Sequence, residues 1–220
     1  YIVISEGIRD RLVSFGISDD RILVAPDGID MEEKCEYTDD MVTLKEKRLV
    51  VYTGQLLEWK GVGTLIDAAQ RLNSSFAIVV VGGQPGEIAQ LQKRDIAGRV
   101  VFTGFVSHAQ ALGWMRSAQV LVIPNQKDGG ISEFFTSPLK MFEYMASGRP
   151  IVASDLPSLR EVLTDANAIL VTPDDASALA QGIERACTDD GQKRARQALV
   201  DVAQYTWEQR AQKVIHFIRS

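Results

Sequence analysis

From residue 49 onward, short apolar runs rich in β-branched residues alternate with longer stretches whose apolar positions recur every three or four residues. The short runs are 49–53, 76–82, 100–103, 120–124, 151–154 and 168–171. Most show no polar alternation, the pattern of strands covered on both faces of a parallel sheet. Between them, 62–72 places Val62, Leu65, Ile66, Ala69 and Leu72 on one helical stripe, and 138–146 and 177–187 read the same way. Strand and helix in alternation predict an α/β fold: a doubly wound parallel sheet with right-handed crossovers. Ligands of such sheets bind beyond the carboxyl ends of the strands, so candidate chemistry belongs just after each run.

Residues 1–46 break this rhythm. A short strand is expected at 2–4. Ser5 then caps a helix whose stripe is Ile8, Leu12 and Phe15, and Gly16 stops it. A second strand at 22–25 ends in the turn Pro26-Asp27-Gly28, and the charged stretch 32–40 predicts a surface loop. This region reads as the tail of a preceding domain and a crossover into the next. At the other end, 207–218 forms an amphipathic helix with Val214, Phe217 and Ile218 on one side, which calls for a partner surface.

Composition narrows the class. Of 220 residues, 45% are hydrophobic and 24% charged, which excludes disordered, collagenous and coiled-coil chains. The net charge of −5 offers no bulk field for nucleic acid. The longest apolar run, 76–83, is too short to span a bilayer. Cys35 and Cys187 lie far apart and outside metal-ligand spacing, which predicts no disulfide framework and no metal site, and points to a reducing, cytoplasmic setting. The chain opens on Tyr1 without a charged n-region, so no signal peptide is expected and a longer parent chain is.

The best local signal is the stretch 131–150. Ser137 is suited to cap a helix, Pro138 to its first position and Gly148 to its stop. The free N–H groups and positive dipole end of such a helix suit a phosphate. Glu143 lies about one and a half turns in, where a carboxylate can accept two hydrogen bonds from a sugar diol. The same residues equally fit a plain amphipathic helix with Glu143 paired to Lys140. After the first run come Thr53-Gly54-Gln55 and Lys60-Gly61. A glycine there admits a ligand to the backbone and Lys60 can neutralise a diphosphate, although a βα turn with a solvated lysine is the simpler reading. Gly82-Gly83 repeats the pattern. Phe102-Thr103-Gly104-Phe105 can present backbone to a base, or form a tight turn with core aromatics. His108 and His216 have no partnered nucleophile and are read as surface or capping residues. Asp128 and Glu133 are read as solvated charges.

In order along the chain stand Ser5-Glu6-Gly7-Ile8-Arg9, Val24-Ala25-Pro26-Asp27-Gly28-Ile29-Asp30, Tyr52-Thr53-Gly54 with Lys60-Gly61, Val80-Val81-Gly82 and Val101-Phe102-Thr103-Gly104. Val120-Leu121-Val122-Ile123-Pro124, Ser137-Pro138-Leu139-Lys140 with Glu143-Tyr144-Met145-Ala146-Ser147-Gly148, Pro150-Ile151-Val152-Ala153-Ser154 and Trp207 complete the set. This ordered set resembles the C-terminal, donor-binding half of retaining GT-B glycosyltransferases of group 1 (family 4), over nearly the whole chain. The resemblance implies three parts: 1–46 as the end of an N-terminal domain and its linker, 47–204 as a Rossmann-like nucleotide-sugar domain, and 205–220 as a crossover helix toward the acceptor-binding domain. It implies a nucleoside diphosphate sugar as donor and, through the N-terminal domain, a glycan or lipid-linked acceptor. Membrane contact stays open. No cofactor and no metal are implied.

The resemblance also assigns roles. Lys60 pairs with the diphosphate and Glu143 binds the ribose, and these two are the expected catalytic pair. Gly54, Gln55 and Gly82 line the donor, Phe102, Thr103 and Gly104 border the base, and Glu133, Phe135, Thr136, Ser137, Pro138, Leu139 and Lys140 surround the distal phosphate and sugar. Two positions depart from the family pattern. Gln55 stands where an arginine is common, and Phe135 stands eight residues before Glu143, where the first glutamate of the family's pair belongs. Lys140 is expected to restore part of the missing charge. The rival readings are a non-catalytic nucleotide-sugar-binding module with a degenerate site and a GT-B-type epimerase. A dinucleotide oxidoreductase lacks its Gly-x-Gly-x-x-Gly.

Overall fold

A computed structural model describes every residue except Glu32, Glu33, Lys45 and Ser220. Glu32 and Glu33 open the expected 32–40 loop, and Ser220 ends the expected C-terminal segment; both lie outside the described residues. The elements in order are β1 (Ile2–Val3), α1 (Glu6–Ser14), β2 (Leu23–Val24), α2 (Asp39–Thr43), β3 (Arg48–Thr53), α3 (Val62–Ala69), β4 (Phe76–Val81) and α4 (Pro85–Gln92). There follow β5 (Val100–Gly104), α5 (His108–Ser117), β6 (Val120–Ile123), α6 (Ile131–Phe134), α7 (Leu139–Ala146), β7 (Ile151–Ser154), α8 (Pro157–Arg160), β8 (Ile169–Val171), α9 (Ala176–Ala186), α10 (Asp189–Asp201) and α11 (Trp207–Arg219).

The main sheet has the strand order β5-β4-β3-β6-β7-β8, all parallel. The chain leaves β3 on one side for β4 and β5, then returns to the other side at β6. Connections therefore part in opposite directions at the carboxyl ends of β3 and β6, the switch point where open α/β sheets hold ligands. Val50, Tyr52, Ile78 and Val80 face one core with Leu65 and Ile66 of α3 and Leu179 and Ile183 of α9. Leu49, Val51, Val79 and Val81 face the other, with Trp114 of α5 and Met141, Phe142, Tyr144 and Met145 of α7. Both faces of the central strands are covered, which explains the absence of polar alternation; each such side chain contributes about 1.5–3 kcal/mol by leaving water.

The six main runs and three helical stretches stand where periodicity places them, within a few residues. Helices α4, α5 and α10 are additional, and the first two are set by capping chemistry more than by periodicity. Gln84 N–H donates to Glu87 at 2.8 Å with Pro85 at the first turn of α4. Ser107 and Gln110 exchange two 3.2 Å bonds at the start of α5. Within 32–40, helix α2 begins at Asp39 and buries Met41, so the expected loop is shorter.

Two apolar stripes stay largely uncovered. Ser5 Oγ accepts from Ile8 N–H at 3.3 Å and Gly16 ends α1, as expected. Yet α1 buries no residue, and Phe15 is 68% exposed. The helix docks by its amino end: both Glu161 carboxylate oxygens accept from Glu6 N–H, at 3.1 and 3.0 Å, and Gly7 lies against the Phe134 carbonyl. Similarly, α11 is tied down near its start, where Ile29 N–H donates to Tyr205 O at 2.8 Å and Arg210 Nε to Ala25 O at 3.1 Å; Ile218 is 71% exposed. Among the described residues no helix is long and apolar enough to cross a membrane.

Candidate active site

A cleft of about 500 Å³ opens beyond the carboxyl ends of β3, β4 and β5. Gly54 and Gly82 form its floor, with φ of +128° and +112°. A Cβ on Gly82 would stand 2.4 Å from the Gly54 carbonyl oxygen, so the two backbones approach as only glycines allow. Gln55 and Leu57 continue one wall, and Phe105, Val106 and His108 form the opposite one. The end of β3 is pinned from α7: Thr53 N–H donates to the Tyr144 hydroxyl at 2.8 Å, while burial pushes that phenol up and keeps it neutral. Tyr52 donates to the Gln55 carbonyl at 2.6 Å and fixes the loop from below.

Two lysines stand beside this floor. Lys60 ends the single 3-10 turn Glu58–Lys60, with Nζ 3.8 Å over the Trp59 ring. It is half-buried, and burial lowers its ammonium to about 8. The solvated lysine of the simpler sequence reading is therefore not what the fold builds. Lys140, in the first turn of α7, is buried. Its Nζ lies 3.7 Å over the Tyr52 ring and has no hydrogen-bond partner. A Cβ on Gly54 would meet that Nζ at 3.1 Å. Burial, then the neighbouring Lys60 charge, push Lys140 well below the usual lysine range, and Glu143 only partly opposes them. The surface pair of Lys140 with Glu143 at i,i+3 does not form as a hydrogen-bonded contact; Glu143 Oε1 instead sits 3.8 Å from His108 Nδ1. Glu143 thus reaches the cleft through His108, which lies on its rim.

Several expected positions move. Helix α7 begins one residue later than expected: Pro138 is its cap, and the buried Ser137 hydroxyl caps nothing and has no partner. None of Lys60, Gly104, Glu133, Phe135, Thr136, Ser137, Pro138, Leu139, Lys140 and Glu143 lines the cleft itself. Glu133 is buried rather than solvated. Its Oε2 accepts from Gly129 N–H at 3.1 Å and its Oε1 lies 3.8 Å from Lys127 Nζ, so it folds back on its own loop. Asp128 is exposed but engaged, accepting from Gly130 and Ser132 N–H at 2.9 and 3.2 Å as the anchor of α6. Its desolvation is outweighed by these amides, and its carboxyl is lowered.

Phe102 and Thr103 also lie elsewhere. They line a separate depression with Gln110 and Trp114. The cause is a register shift: Val80 pairs with Phe102 but Val81 with Gly104, so Thr103 is an extra residue and the strand leaves the sheet later. The Gly104 carbonyl accepts from Gly82 N–H at 2.9 Å, and the chain enters the cleft at Phe105, which is 86% exposed. On this wall Val106 escaped the sequence reading, Phe105 belongs to the turn expected at 102–105, and His108, expected as a surface or capping residue, lies on the cleft rim. The Ser-x-x-Gln capping box at 107–110, which starts α5 beside the cleft, was the available signal. His216 is exposed on α11, as expected. Among the described residues no three His, Cys, Asp or Glu side chains cluster as metal ligands.

The fold is that of solved glycosyltransferases. HepE of Anabaena, in complex with UDP and glucose, superposes with a TM-score of 0.82 at 20% identity, covering 100% of this chain and 62% of that one. Sucrose-phosphate synthase of Thermosynechococcus elongatus gives 0.77 at 24% identity, covering 99% and 57%. In sequence, the phosphatidyl-myo-inositol mannosyltransferase of Mycolicibacterium smegmatis is 34% identical over 171 residues, 74% of this chain and 42% of that protein. An uncharacterized glycosyltransferase of Methanocaldococcus jannaschii is 26% identical over 234 residues, 98% of this chain and 58% of that protein. The chain therefore spans about half the length of such relatives, from 42% to 62%. The family profile described as glycosyl transferases group 1 matches residues 47–189, which hold all six strands of the main sheet, the glycine floor and both lysines, and the chain belongs to that family.

Proposed function

We propose that this chain carries the donor site of a retaining glycosyltransferase that takes a sugar from a nucleoside diphosphate sugar and passes it to a glycan or lipid-linked acceptor without a metal ion. The observation that carries this reading is the cleft itself. The floor of Gly54 and Gly82 has the buried Lys140 amine against Gly54, Lys60 near enough to repel it, and His108, 3.8 Å from Glu143, on the rim. A diphosphate needs backbone and cations together, and a ribose diol needs a carboxylate. During transfer, negative charge grows on the departing diphosphate. On this reading Lys60 is the cation that receives it. The names of relatives support a glycolipid acceptor, and the neighbour solved with UDP and glucose supports the donor class. The acceptor site falls outside these 220 residues on this reading, so the chain binds nucleotide and transfers nothing alone.

One observation favours a second reading, a nucleotide-sugar-binding module without catalysis. Phe135 and the turned-back Glu133 leave the sugar end of the site without the carboxylate that the family pattern places there. Transfer activity in a longer protein containing this chain decides against that module.

Calorimetric titration with UDP, GDP and ADP, with and without chelator, tests the donor reading. One nucleotide is expected to bind saturably and independently of chelator. Replacing Glu143 with alanine is expected to weaken it about 10- to 100-fold, the worth of hydrogen bonds to a charged group. Failure of all three nucleotides to bind overturns the reading.

A further inference from the structure

A buried amine with no hydrogen-bond partner is costly as a cation and wasted as a neutral group, so its persistence beside the floor of a cleft demands a use. Lys140 is such a group. The Tyr52 face beneath it, at 3.7 Å, offers a cation–π contact but accepts no hydrogen bond. A Cβ on Gly54 would meet the Lys140 Nζ at 3.1 Å, and Gly54 itself lines the cleft. Position 55, next along the loop, carries an uncharged glutamine.

On the donor reading given above, we propose that Lys140 supplies the second positive charge to the bound diphosphate, past the glycine-sized gap at Gly54, in place of a cation at position 55. Lys60 is the first charge. The ionisable groups around Lys140 fit this role. Lys60 approaches from the β3–α3 connection and repels it. Glu143, on its own helix, attracts it. The Tyr52 and Tyr144 phenols are held neutral by burial. In the ligand-free chain Lys140 is therefore poised toward the uncharged amine. An arriving diphosphate supplies the missing counter-charge, the amine takes up a proton from solvent, and the ammonium so formed pairs with a phosphate oxygen.

The 220-residue chain is titrated with UDP and with inorganic pyrophosphate near pH 8, in two buffers of different protonation enthalpy. Wild type is expected to take up protons on binding either ligand. Lys140→Met is expected to bind both about tenfold more weakly, with less proton uptake, and to melt at a higher temperature without ligand because an unpaired buried amine is gone. A merely structural lysine would not weaken binding while raising the melting point. Unchanged affinity and uptake in Lys140→Met overturn this inference and leave the donor reading standing. Absence of wild-type binding to both UDP and pyrophosphate overturns this inference, and the donor reading falls only if GDP and ADP also fail to bind. Should the variant not fold, the 13Cε resonance of Lys140 in lysine-labelled wild type gives the same decision. Movement from amine to ammonium position on adding UDP supports the proposal, and a static resonance overturns it.

Discussion

Gly61→Ala is expected to cost about 3–5 kcal/mol of stability, and nucleotide binding with it. Gly61 has φ of +73°, closes the turn that carries Lys60, and caps α3. A Cβ there would stand 1.7 Å from the Pro124 carbonyl oxygen and 2.7 Å from its carbon. Those are backbone atoms at the exit of β6, so no side chain can swing aside. Neither neighbour yields cheaply. Leu65 N–H donates to the Gly61 carbonyl at 3.2 Å, and Gln126 N–H donates to Trp59 O at 2.9 Å, tying the β6 exit to the same turn. Relief therefore requires the β3–α3 connection to move off the switch point, which removes Lys60 from beside the cleft floor. Gly16→Ala is the control: φ is +87°, nothing lies within 4 Å, and only the left-handed backbone penalty of about 1 kcal/mol remains. Denaturant midpoints of the two variants check this. A Gly61→Ala loss no larger than that of Gly16→Ala would falsify the close-packing explanation.

The contrast between these glycines marks where sequence reading stops. Both look alike as residues after an element, and only the tertiary neighbour separates them. The same holds for the site. The strands were legible because burial on both faces leaves an unbroken apolar record in 76–81 and 120–123, and their parallel sense follows from alternation with helices. Gly54, Gln55 and Gly82 reach the cleft because the carboxyl end of a strand is a fixed address in this architecture. Phe102 and Thr103 were misplaced because one extra residue at Thr103 delays the exit of β5, and nothing in local composition announces a bulge. Ser137 has the chemistry of a cap, yet the backbone turns helical only after Pro138, leaving the hydroxyl buried without a partner. Glu133 reads as a solvated charge until the loop closes on it through Gly129. The stripe of α1 predicts burial, whereas that helix docks by Gly7 and the Glu161 carboxylate. Each miss lies where a neighbour distant in sequence decides the outcome.

Lys60→Met is expected to weaken nucleoside diphosphate binding at least about 100-fold. It removes the less buried of the two cations, the one able to meet a phosphate without rearrangement of the floor. The wild-type pH profile carries the same signature. Burial lowers Lys60 to about 8 from 10.5, and the terminal phosphate of a diphosphate is already ionised at that pH. Affinity should thus decline as pH rises through about 8, as the free chain loses the charge that the complex needs. Stability moves the other way. The unfolded chain, with the ordinary lysine value, holds this proton more tightly than the folded chain does, so the ligand-free protein gains stability between about 8 and 10.5. Below about 8 the cost of keeping Lys60 charged in a half-buried place is fully present. A site that binds better where its fold is less stable is one whose lysine is held for the ligand's sake, since a lysine kept for packing would show no decline in affinity. Titrations from pH 7 to pH 10, paired with thermal melts of the ligand-free chain, check both arms. A flat affinity profile, or Lys60→Met binding that stays within about threefold of wild type, removes Lys60 from the diphosphate site.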